Sequence, residues 1–162
     1  MRPSPAHAPV IAERAFRDAL GRFATGVTLI TAPGDESLVV NAFMSVSLDP
    51  PLVAFCAGHT SLTWRRMRRS GRLGINVLDS SVGDVRERAR PGAARLAGLA
   101  VRLDRHGVPR LAEATAFLLV DVVDERVVGD HALVTCAVEE AECDDERRPL
   151  VFFGGAFGSF AA

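Results

Sequence analysis

The sequence predicts a mostly β protein, an antiparallel barrel with helices inserted at its ends. About seven runs that are β-branched or apolar in alternation are separated by turn residues at hairpin distances. The two or three helical stretches among them do not alternate one for one with strands, as a doubly wound parallel sheet requires. The length, 162 residues, fits one domain. A chain of that size buries about 68–70% of the surface it exposes when unfolded, so it can build a core without staples. Residues 1–162 are therefore expected as a single domain, with residues 1–9 a proline-rich, flexible leader.

From Val10 the pattern is helical. Phe16, Ala19, Leu20 and Phe23 recur at i, i+3, i+4 and i+7, with Arg14, Arg17, Asp18 and Arg22 off the stripe, and Gly26 is expected to end the helix. "GVTLIT" reads as a strand, "APGDES" as a turn and "LVVNAF" as the returning strand. "PPLVAFC" is the next strand, its proline pair fixing an extended entry. Thr60 or Ser61 can cap a short helix that Gly71 stops. "LGINVL" is a strand, and Ser80 or Ser81 is expected to cap a helix in "VGDVRERAR". Residues 91–108, rich in Ala, Gly and Arg, predict no regular element. "TAFLLVDVVDERVV" and "HALVTCAVEEAE" form a long hairpin across Gly129–Asp130. "PLVFFGGAFGSF" adds one last strand and a glycine-loosened tail.

Charge and cysteine usage exclude several functions. The net charge is −1, so no global field draws the chain to nucleic acid or to an anionic membrane. Its nineteen basic residues are all arginine, which reflects composition bias. Cys56, Cys136 and Cys143 are odd in number and lack metal-like spacing, so neither a disulfide framework nor a metal site is expected; Cys56 and Cys136 read as small core residues. No run of about 20 apolar residues exists to span a membrane. The chain reads as soluble and cytoplasmic. Arg65, Arg66, Arg68, Arg69 and Arg72 crowd around Trp64, which could bind nucleic acid through arginine and stacking. The acidic run "EEAECDDE" balances them, and a solvated helix face with one or two arginines near an anionic cofactor tail is the preferred reading.

Signatures of phosphate-loop, nucleophile-elbow and zinc-hydrolase chemistry are missing. The informative stretch is "NAFMSVSLDPPLVAFC", where small and polar residues feed an apolar strand through a double proline. In a hairpin-rich barrel Ser37–Ala42 and Cys56–Thr63 can lie at the same end, offering main-chain donors and hydroxyls beside an apolar wall. That mixture suits a flat aromatic ligand with a phosphate tail, held by Thr60, Ser61 or Thr63 and a helix N-terminus.

"FRDALGRFATGVTLIT", "NAFMSVSLDPPLVAFC", "SLTWRRMRRSGRLGINVL", "GDHALVTCAVE" and "PLVFFGGAF" occur in the order seen in the flavin reductase-like family. The resemblance runs from about residue 15 to residue 160. It implies an FMN-binding split β-barrel, antiparallel, and an NAD(P)H-dependent reductase of FMN or FAD that supplies a separate flavin-dependent monooxygenase. It also implies a homodimer. Site roles follow position by position. Asn41, with the main chain of Val39, Val40 and Ala42, would line the isoalloxazine; Cys56, Ala57 and Gly58 would follow the ribityl chain. Thr63, with Leu62 beside it, would hold phosphate. Arg88 matches a basic position near phosphate or adenylate, His131 the residue beside the nicotinamide, and Phe153 to Phe157 the tail bordering the dinucleotide.

Relatives often read Gly-x-Thr-Ala-Asn-Ser where this chain has "SLVVNAF". Two hydroxyls are lost, each worth about 0.5–1.5 kcal/mol, which weakens flavin binding and suits an enzyme that treats flavin as a substrate. The stretch 89–100 lacks the family's aromatic at the dinucleotide end. Two other flavin proteins fit the same resemblance: an electron-transfer or storage module, and a split-barrel protein with tightly held flavin serving another redox step.

Overall fold

After a first helix, α1 (Glu13–Leu20), the chain enters β1 (Thr25–Gly26), β2 (Thr28–Ala32), β3 (Glu36–Val40), β4 (Phe43–Leu48) and β5 (Pro51–Gly58). Helix α2 (Leu62–Met67) continues as a 3-10 turn, Arg68–Ser70, into β6 (Arg72–Leu78). Then come α3 (Val85–Ala89), the hairpin β7 (Val101–Leu103) and β8 (Pro109–Leu111), the long pair β9 (Ala114–Val128) and β10 (His131–Cys143), and a last hairpin, β11 (Leu150–Phe153) and β12 (Ala156–Ser159). This computed structural model describes residues 11–90 and 92–160; the expected leader, residues 1–9, lies outside the described residues.

Seven strands pair antiparallel in the order β3-β2-β6-β9-β10-β5-β4. Bulges at Thr135/Cys136 and Val138/Glu140 in the β9–β10 ladder sharpen the local twist. The sheet curls until β3 approaches β5, but β3 and β4 remain edge strands. This is a barrel split along one seam. Helix α2 plugs one end: Trp64 and Met67 are buried in the inner core with Phe55, Ile75 and Val134. Trp64 meets Phe55 edge-on at 5.4 Å between ring centres, and its indole N–H donates to Glu125 Oε1 at 3.3 Å.

A second core lies outside the barrel wall. Val27, Leu29, Leu78 and Leu111 pack there against Leu96, Phe152 and Phe157. Strand β2 is consequently buried on both faces, which explains its unbroken "TLITA". Its hydroxyls must then be satisfied internally. Thr28 Oγ1 donates to Val40 O at 3.0 Å, and Thr31 Oγ1 to Pro109 O at 2.6 Å. Asn76, with no exposed surface, donates to Leu29 O at 3.1 Å and accepts from Leu111 N at 2.8 Å. One amide thereby joins β2, β6 and β8.

Several expectations are corrected. Helix α1 ends at Gly21, not Gly26: the next N–H groups, of Arg22 and Phe23, turn back to carbonyls three residues earlier, Ala19 O at 3.1 Å and Leu20 O at 3.0 Å, and Gly26 has entered β1. Its apolar stripe is present but unburied: Phe16, Leu20 and Phe23 are exposed. The stretch 43–48 is an extra strand, β4, at the edge of the sheet. Asp84, not Ser80 or Ser81, caps α3, accepting from Arg86 N at 3.0 Å and Glu87 N at 3.2 Å. Residues 101–111 form a hairpin, and the tail pairs back as β12. The cap at Ser61 and the left-handed stop at Gly71 (φ 70°) occur where expected.

The tightest point is Gly74 on β6. A Cβ there would sit 2.6 Å from Thr31 Oγ1, 2.8 Å from Phe117 and 2.9 Å from Val108. Gly74→Ala is expected to cost about 1–3 kcal/mol through overpacking, read as a lower denaturant midpoint with the slope unchanged. A midpoint equal to wild type would show that β6 and β8 part easily.

Candidate functional site

The pairing of β5 with β10 assembles the rim of the site. His131 stands opposite Gly58, Leu133 opposite Cys56 and Val134 opposite Phe55. Phe55 and Val134 belong to the inner core, so alternation puts Cys56, Gly58 and His131 on the outer face of the sheet. The Cys56 N–H donates to Ala42 O at 3.0 Å, which ties the 41–42 corner to the same rim. Asn41 and Ala42 are exposed there. Structure and sequence agree in bringing 41–42, 56–58 and 131 together.

Cys56 is corrected: it is half-buried on the outer face, not a core residue. Cys136 is fully buried, and burial pushes its thiol up to about 12. All three cysteines are free thiols. Val40 and Ala57 bury their side chains in the inner core, and Val39 leans on the outer one. Only their main chains are placed to meet a ligand. Strand β3 has a strand partner on one side alone, so its other edge presents N–H and C=O groups toward α2 and the seam.

Beside this rim opens a cleft of about 900 Å³, floored by Ser37, Leu38 and Gly58 and bordered by Ser61, Leu62 and Thr63. Ser61 caps α2 by accepting from Trp64 N at 3.2 Å, so part of its hydroxyl capacity is spent. Helix α2 has six residues, too few for its dipole to matter much, so the hydroxyls and arginines carry the anion-binding capacity expected of its N-terminus. The far wall is the turn segment 92–97, made of Gly92, Ala93, Ala94 and Ala97 around Arg95 and Leu96.

Arg88 is a second correction. Its guanidinium donates to Arg95 O at 2.8 Å and Ala97 O at 2.9 Å. It braces the wall from behind and does not line the cleft. The arginines that do are Arg66 and Arg95. Arg66 forms a two-pronged pair with Glu36, with Nη2 3.1 Å from Oε2. Arg68 pairs with Glu125 at 3.1 Å, and Arg72 with Asp121 and Glu139, each at 2.8 Å. Trp64 is buried, so it is not available to stack on a base, and Arg66, Arg68 and Arg72 of the basic run are ion-paired.

His131 is exposed at the hairpin end, with Nδ1 2.7 Å from Asp130 Oδ1. That hydrogen bond holds the Asp130 carboxyl below its usual range. An ionised carboxylate only accepts, so Nδ1 carries the proton and Nε2 remains the imidazole's outward polar atom. His59 N donates to Asp130 O at 3.2 Å, fastening the Gly58–Thr63 linker to the same turn. Phe157 lies in the outer core, 5.1 Å from Phe152 and under the Arg86 guanidinium, whereas Phe153 is exposed. Sequence reasoning missed Arg95: nothing in an Ala-, Gly- and Arg-rich stretch marks which arginine turns inward.

Among the described residues no group of His, Cys, Asp and Glu could hold a metal ion, and no helix is long and apolar enough to cross a membrane. The cleft fits a flavin tail and dinucleotide in its donor set: four hydroxyls, two guanidinium groups and an apolar alanine wall, with Arg95 Nε buried and unpartnered.

The chain resembles known proteins along nearly its whole length. It is 35% identical over 152 residues to a flavin reductase of Pseudomonas putida, covering 91% of this chain and 89% of that protein. It is 36% identical over 149 residues to the reductase component of a 4-nitrophenol 4-monooxygenase/4-nitrocatechol 2-monooxygenase of Rhodococcus opacus, covering 90% and 80%. The solved structure of an NADH:FAD oxidoreductase of Streptomyces globisporus superposes with a TM-score of 0.84 at 30% identity, covering 98% of this chain and all of that one. That oxidoreductase has also been solved with NAD and FAD fragments. The family model described as the flavin reductase like domain matches residues 20–161. The fold is thus the split barrel of these reductases, and the chain belongs to the flavin reductase-like family.

Proposed function

We propose that this protein is an NAD(P)H:flavin oxidoreductase that binds FMN or FAD as a substrate and passes the reduced flavin to a separate monooxygenase. The observation that carries the reading is the β5–β10 register, which sets His131 opposite Gly58, and Gly58 lines a cleft rich in hydroxyls and arginine. The flavin when bound supplies the hydride acceptor and the nicotinamide the donor. What the chain contributes is alignment, because stacked rings react only within about 3–3.5 Å.

Asn41, Ala42 and the Cys56–Gly58 main chain offer the ring a polar edge against an apolar wall. Thr63, with Thr60 and Arg66, receives the phosphate at the cleft entrance. His131, its Nδ1 tied to Asp130, meets the carboxamide of the nicotinamide through Nε2, with exposed Phe153 bordering the dinucleotide. The small donor count at the ring supports release over retention: "SLVVNAF" offers one side-chain amide where relatives add hydroxyls.

A homodimer accounts for the apolar surface. Leu48 is 91% exposed, and Met44 and Val46 on the same edge strand are exposed as well. So are Phe16, Leu20 and Phe23 on α1. Two such copies bury what one leaves wet. Sedimentation is expected to give the mass of two chains, and Leu48→Asp the mass of one; a single-chain mass for wild type at micromolar concentration would remove the dimer.

Purified protein is expected to be colourless and to oxidise NADH or NADPH only when FMN or FAD is added. Yellow protein without turnover would instead identify a binding module. In stopped-flow reduction His131→Ala should slow hydride transfer or raise the nicotinamide KM about tenfold with flavin affinity intact; unchanged kinetics would return His131 to the turn. Thr63→Ala should weaken FMN by roughly three- to tenfold and riboflavin hardly at all. Equal loss for both would refute the phosphate role.

A further inference from the structure

The cleft is larger than a phosphate needs, and its far wall has a chemistry of its own. Arg95 is only 9% exposed. Its Nη2 donates to Arg90 O at 3.2 Å, while its buried Nε has no partner. The nearest carboxylate on the wall opposite, Glu36, is already taken by Arg66, and Asp35 sits at the exposed tip of the β2–β3 turn. Burial lowers the Arg95 pKa, against a smaller opposing pull from Glu36. Arg95 is therefore a desolvated cation without a carboxylate to itself, and such a group gains most from an anionic ligand. Around it the wall is Gly92, Ala93, Ala94 and Ala97, a low apolar surface on which a flat base can lie. The wall is also held in place from behind: Arg88 grips the Arg95 and Ala97 carbonyls, so Arg95 is presented on a braced segment.

We propose that this wall is an adenosine-diphosphate site, with Arg95 as the anchor for its phosphates, and that it makes FAD the preferred flavin of this chain over FMN. The proposal rests on the flavin reading above and names the flavin. FMN ends at the phosphate that Thr63 and Arg66 receive; FAD continues along the cleft with a second phosphate and a purine. NADH carries the same diphosphate and purine, so it is the rival occupant.

Quenching of the single tryptophan, Trp64, is expected to report FAD binding at least tenfold tighter than FMN. Free ADP should compete with FAD and leave FMN alone. Arg95→Met should weaken FAD about tenfold with FMN within twofold, and Arg95→Lys should restore part of the loss. Because Arg95→Met could loosen the wall, Ala94→Asp provides a second variant at an exposed position; its added charge should repel FAD and spare FMN. Equal wild-type affinity for FMN and FAD would overturn the proposal and leave the reductase reading intact. Equal weakening of both flavins by Arg95→Met would reduce Arg95 to a wall support and overturn it too. A raised KM for NADH with FAD affinity kept would give the site to the nicotinamide dinucleotide. Binding of neither flavin would remove the flavin reading itself, and this proposal with it.

Discussion

The β5–β10 pairing is the constraint on which the rest depends. A one-residue slip in that ladder would turn Cys56, Gly58 and His131 inward and push Phe55 and Val134 into solvent. The inner core therefore fixes the register, since Phe55 and Val134 can be buried in one phase only. The rim is a by-product of that choice. Residues far apart in sequence meet at the mouth because the side chains behind them fill the barrel.

The barrel also has to carry a second layer. Strand β2 serves both cores and has no solvent face, so its polar groups must find partners within the protein. Asn76 and Thr31 provide them, and Gly74 lets β6 come close enough for the bonds to form. That layer supports β7, β8 and the 92–97 segment, which places the cleft's far wall. The near wall is held separately, by the Arg66–Glu36 pair between α2 and β3. The cleft thus lies between two independently supported parts of one fold.

The longer strands, β2, β3, β5, β6, β9 and β10, were legible because burial imposes patterns: continuous apolar runs where both faces are covered, and alternation where one is; their order across the sheet was not. The β9–β10 hairpin was visible in its turn residues, since Gly129 must take a positive φ of 62°. Strand β4 was not visible as a strand, because its larger apolar residues, Met44, Val46 and Leu48, face outward and mark no core. The stripe on α1 was read correctly as amphipathic, but periodicity does not say what covers an apolar face. Arg88 and Arg95 were the hardest. Arg88 sits on a short helix and Arg95 in an irregular stretch, and which one faces the cleft is decided by the carbonyl acceptors of the 92–97 turn. The proposed ring positions, 41–42 and 56–58, came from the family resemblance, and the ladder and the Cys56 N–H to Ala42 O bond explain why they are neighbours.

The bracing of the 92–97 segment by Arg88 bears on motion. Ladder strands open only when many bonds break together, but this segment is held by a few separate contacts: the Arg88 guanidinium across two carbonyls, the Arg95 bond to Arg90 O, and Leu96 against the outer core. Its opening free energy belongs near the low end of the molecule's range. A wall held by few contacts can yield locally and let a bulky guest leave without disturbing the barrel, which suits a carrier whose cargo must depart after every turnover.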